Sequence, residues 1–139
     1  MGEVYVELDM ENFADRVLAD QGYLDPGQVR AERVKALVDT GAALLVLPQD
    51  LVEALGLKSR GKAIVTYADE RKEEREIAGV VTVKVGNRSM NVDCIVGPPR
   101  SEPMVGHIVL EGMDLIVDAT AQKLVPRPES PYLPMLKLK

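Results

Sequence analysis

The stretch Ala36–Pro48, ALVDTGAALLVLP, sets one carboxylate between two apolar runs. An isolated charge is costly to bury. Asp39 is therefore either a solvated turn residue or a group whose partial burial serves a purpose. The residues just before it, Ala36, Leu37 and Val38, are all apolar, as in a strand covered on both faces. The core must be built from small aliphatic residues. Apolar types make up 46% of the chain, aromatics only 4%, and there is no Trp. Valine-rich segments of this kind favour strands.

The remaining segments agree. Val4–Met10 alternates and predicts a strand. Asn12 is placed to cap a short helix ending near Gly22, although Glu11–Gly27 also reads as a loop or strand excursion. Asp25-Pro26-Gly27 is a turn signal, and a strand is expected over Val29–Asp39. Pro48, Leu51, Leu55 and Gly56 suit a short helix, with Pro48 in its first turn and Gly56 just past its end. From Lys62 to Val85 the pattern predicts a strand, a solvated polar tip carrying the charged run Glu70–Glu76, and a second strand. Gly86-Asn87 marks a hairpin turn. Residues 97–103 form a loop, and Met113–Pro126 reads as two short strands about a turn. The expected class is all-β, a closed or strongly folded barrel with one or two short helices.

A chain of 139 residues and 15.2 kDa is expected to form one domain over residues 1–139, with a core large enough to need no disulfide or metal. The net charge of −5 argues against nucleic acid as a partner. One cysteine, Cys94, and one histidine, His107, cannot make a zinc site. Cys94 lies in an apolar run and reads as a small core residue. No cofactor or metal is expected. No apolar run is long enough to span a bilayer, and Met1–Met10 lacks a basic segment followed by an apolar one. A cytoplasmic protein without a membrane partner is the expectation.

Asp-Thr-Gly alone is an ordinary turn or helix-cap pattern. Its setting suggests more. Two facing carboxylates cannot both ionise easily, so they share a proton, and a water held between them can be delivered to a peptide carbonyl. The chain has one such motif, so the second carboxylate must come from a second copy across a two-fold axis.

Leu37–Ala42, LVDTGA, resembles the retropepsin-like aspartic proteases, the single-domain dimeric relatives of pepsin. Met104–Asp118, MVGHIVLEGMDLIVD, is similar to the family's later apolar-apolar-Gly segment, helix and strand. The resemblance runs from about Val4 to Pro126 and is closest to cellular and prokaryotic members. It implies an acid-protease barrel and a homodimeric endopeptidase acting on a peptide or protein substrate, with Asp39 as the catalytic carboxylate. It further implies that Thr40 cross-links the two copies, that Gly41 and Ala42 support the site, and that Gly106 packs behind Asp39. Tyr67, Ala68 and Asp69 would form the tip of a flap. The terminal stretches Glu3–Leu8 and Pro134–Lys139 are candidate interface strands. Viral members pair an acidic residue with an arginine at the positions held here by Ala43 and His107. The Gly of the cellular flap tip is replaced by Glu70. The competing reading is a catalytically weak dimer of the same fold that binds peptides or acts as a scaffold.

Overall fold

The computed structural model describes residues 3–136. Strands β1 (Val4–Asn12), β2 (Ala31–Val38), β3 (Leu45–Pro48), β5 (Lys72–Val85), β6 (Arg88–Gly97) and β7 (Met104–Val105) are joined edge to edge in the order β1-β2-β7-β3-β6-β5. Pairing of Asp9–Asn12 in β1 with Val81–Lys84 in β5 closes the ring. Closure removes edges that would otherwise be open to another chain. β4 (Lys58–Thr66) lies outside the ring and forms a hairpin with the first half of β5. β8 (Leu115–Asp118) and β9 (Lys123–Pro126) make a separate antiparallel pair. The fold is all-β, as the sequence predicts.

The period-two pattern accounts for the core. Leu8 and Met10 in β1, Ala36 and Val38 in β2, Leu45 and Leu47 in β3, and Val81 and Val83 in β5 all point inward and are buried. Three short helices cover the ring: α1 (Phe13–Asp20), α2 (Gln49–Ala54) and α3 (His107–Met113). Asn12 does cap α1. Its side-chain oxygen accepts the Asp15 N–H at 3.0 Å, and its amide donates to the Leu55 carbonyl at 2.9 Å. One side chain thus fixes a helix start and ties it to the end of α2. Gly56 follows α2 with φ +65, the left-handed conformation expected past a helix end. Pro48 stands at the cap of α2, one place before its first turn.

One expectation needs correction. The charged run Glu70–Glu76 is not a tip. The turn is Tyr67–Arg71, and Lys72–Glu76 already belong to β5. Five of its seven members are exposed, while Glu73 and Arg75 are half-buried and pair at 2.7 Å, with Glu73 also accepting the Tyr67 hydroxyl at 3.0 Å. Of the candidate interface stretch Pro134–Lys139, residues 134–136 lie in no strand of the single chain, and Lys137–Lys139 lie outside the described residues.

The segment after β9 is held by buried charge. Arg88 is 2% exposed and donates to the carbonyls of Asp114 at 3.1 Å and Ser130 at 2.5 Å. The Asp114 carboxylate accepts the Ser130 hydroxyl, the Met135 N–H and the Arg127 guanidinium. Among the described residues no helix is long and apolar enough to cross a membrane.

Candidate active site

β2 ends at Val38, and Asp39 begins a tight turn. Ala42 N–H donates to the Asp39 carbonyl at 3.1 Å, and Gly41 N–H donates to the Asp39 Oδ1 at 3.0 Å. The carboxylate is thus oriented by the backbone of its own motif. Asp39 is half-buried, Ala42 likewise, and Thr40 and Gly41 are exposed.

The turn is also gripped from behind. The short β7 fits between β2 and β3, parallel to the first and antiparallel to the second. Asp39 N–H donates to the Val105 carbonyl at 2.9 Å. Gly106 follows at once and lies against the far side of the loop. A Cβ there would stand 2.4 Å from the Ala43 carbonyl carbon and 2.6 Å from the Leu44 nitrogen. Only glycine allows this approach, and the obstacle is backbone that cannot swing aside. The first amides of α3 complete the grip. His107 N–H donates to the Ala42 carbonyl at 2.9 Å and Ile108 N–H to the Ala43 carbonyl at 3.0 Å. Two segments far apart in sequence, 39–44 and 104–108, therefore form one unit with the carboxylate at its surface. A groove of about 450 Å³ opens beside it, lined by Val4, Val38, Asp39, Thr40 and Val117 among others.

The aspartyl protease family model matches residues 26–115. The chain belongs to the aspartyl protease family. No curated protein matches the sequence.

The matched span of this aspartyl protease family member contains the whole Asp39–Gly106 unit and the β4–β5 hairpin. Tyr67, Ala68 and Asp69 do form the hairpin tip, but their polar contacts are local. Tyr67 N–H donates to the Arg71 carbonyl and Glu70 N–H to that of Tyr67, both at 2.9 Å, while Asp69 accepts the Arg71 N–H at 3.0 Å. The Arg71 guanidinium lies 4.3 Å from the Tyr67 ring centre. Among the described residues no hydrogen bond joins the tip to Asp39. Glu70 takes φ 67, a conformation that glycine occupies without steric cost.

Other candidates fall away. Cys94 is 1% exposed, and burial, with the neighbouring Asp93 charge, pushes its thiol up to about 12; it is a core residue, not a nucleophile. The Val117-Asp118-Ala119-Thr120 sequence does not repeat the Asp39 motif. Asp118 ends β8 and accepts the N–H groups of Thr120 and Ala121, capping the turn into β9. His107 is exposed, with Nδ1 2.9 Å from the Ala42 carbonyl. Among the described residues no cluster of His, Cys, Asp or Glu could hold a metal ion.

Proposed function

We propose that the protein is an aspartic endopeptidase whose site is completed by a second copy of the chain, each copy supplying Asp39. The observation that carries this reading is the state of the Asp39 carboxylate. One oxygen is oriented by Gly41 N–H, while none of the described side chains hydrogen-bonds to the other. It is free to face a partner, a proton or a water.

Two such carboxylates brought together share one proton. The ionised member removes a proton from the water between them, and that water attacks the scissile carbonyl carbon. The protonated member gives its proton to the carbonyl oxygen. Collapse of the tetrahedral species breaks the C–N bond, with proton transfer to the leaving amine, and the dyad returns to its starting state. Thr40 is exposed and lines the groove, and we assign its hydroxyl to contacts between copies. Gly41 and Ala42 shape the turn, and Gly106 supports it. Tyr67, Ala68 and Asp69 would cover a bound peptide.

The self-contained hydrogen bonding of the hairpin tip favours the second reading, a dimer that binds peptides without efficient cleavage. The two separate in one assay. An unfolded protein incubated with wild type should be cut and should survive intact with Asp39→Asn. Peptide binding by wild type without any cleavage would move the assignment to the binding module.

A further inference from the structure

We infer that His107 is a positioning residue, whose imidazole holds the Ala42 carbonyl and thereby fixes the turn that carries Asp39. The His107 Nδ1 lies 2.9 Å from that carbonyl oxygen, which also receives the His107 backbone N–H at 2.9 Å. A carbonyl oxygen only accepts, so Nδ1 must carry the proton. Free neutral imidazole favours the proton on Nε2, so the contact selects the less common tautomer. Both lone pairs of the Ala42 oxygen are then engaged by one residue, from two directions. The Ala42 N–H in turn donates to the Asp39 carbonyl at 3.1 Å. The line from imidazole to Ala42 to Asp39 contains no flexible side chain beyond His107 itself. Apart from the Asp39 carboxylate itself, which accepts the Gly41 N–H, the other supports of the turn are backbone groups, so His107 is where a side chain outside the motif can tune it.

The kinetic consequence rests on the reading of Asp39 as catalytic; the hydrogen bond and its effect on the turn do not. His107 is the sole histidine, so its ring nitrogens are unambiguous in a long-range proton–nitrogen correlation spectrum of the wild type. The expected result for the neutral ring is a proton on Nδ1, and a neutral ring protonated on Nε2 instead overturns the assignment. Amide exchange at Ala42 should quicken in His107→Ala and slow again in His107→Asn, whose Nδ2 can stand where the imidazole Nδ1 stood. His107→Gln carries its donor one bond further out and should behave as alanine. On a peptide the wild type cleaves, His107→Ala should lower kcat about tenfold, the scale of one lost hydrogen bond, with KM within about twofold. His107→Asn should recover most of that loss. Equal exchange and equal kcat in the alanine, asparagine and glutamine variants would overturn the inference. If wild type cleaves nothing, the endopeptidase reading fails, and the tautomer and exchange results still decide the role of His107.

Discussion

Asp39 and Asp114 are both aspartates just past the end of a regular element, yet the protein treats them in opposite ways. Asp114 follows α3 in the left-handed conformation, φ 58, and is 5% exposed. Its carboxylate takes the Met135 N–H at 2.8 Å, the Ser130 hydroxyl at 2.5 Å and Arg127, with Arg88 3.6 Å away. These partners, the Met135 N–H and Ser130 hydroxyl foremost, hold its carboxyl well below the usual carboxylate range despite its desolvation. Asp39 is half-buried and takes one N–H, from Gly41. A carboxylate with its lone pairs occupied is a fastening; one with acceptor capacity to spare can receive a proton or a water. The comparison separates structure from chemistry among residues of the same type.

The sharpest break in that comparison is Asp39→Asn. It should reduce kcat/KM by about a thousandfold or more while shifting unfolding free energy by less than about 0.5 kcal/mol, as read by peptide cleavage and urea denaturation of the same preparation. Arg88→Ala should do the reverse. It leaves the buried carbonyls of Met113, Asp114 and Ser130 without their donor and should cost about 3 kcal/mol in urea unfolding. Activity per folded molecule should remain. Acid sharpens the contrast further. The folded-state pKa of Asp114 is depressed, so its stabilisation is complete above the unfolded value, near 3.8, and is lost as pH falls toward the folded value. Wild type should lose stability below about pH 4 more steeply than Asp114→Asn, followed by thermal melts across that range. The smallest effect concerns the hairpin tip. Glu70→Gly relieves a left-handed backbone in an exposed turn and should stabilise by about 0.5–1 kcal/mol, measured by urea denaturation.

The Asp39 half of this contrast could be read in the sequence, because an aspartate closing an apolar strand before Thr-Gly is a local pattern. The ring was legible in strands with clear alternation, and Gly106, which stands between β7 and α3, only through the resemblance carried by Met104–Asp118. The Asp114 half was not read. Arg88 and Asp114 look like surface charges, and only the tertiary fold shows that their partners arrive from Arg127–Met135. One signal was present: Arg88 is in phase with Met90, Val92 and Cys94, which share its face of β6. The run Glu70–Glu76 misled for a related reason. Charge marks solvent exposure, which five of the seven residues show, but it does not mark where a turn ends, and Lys72–Glu76 continue as a strand of the hairpin.

The central claim is that one site needs an Asp39 from each of two copies, and subunit mixing tests it most directly. Wild type and Asp39→Asn are combined at constant total concentration, allowed to exchange, and assayed across the range of mixing ratios. If both carboxylates of a pair are required, only wild-type pairs are active, and activity falls as the square of the wild-type fraction. A strictly linear fall after demonstrated exchange would mean that one Asp39 suffices, and would contradict the account.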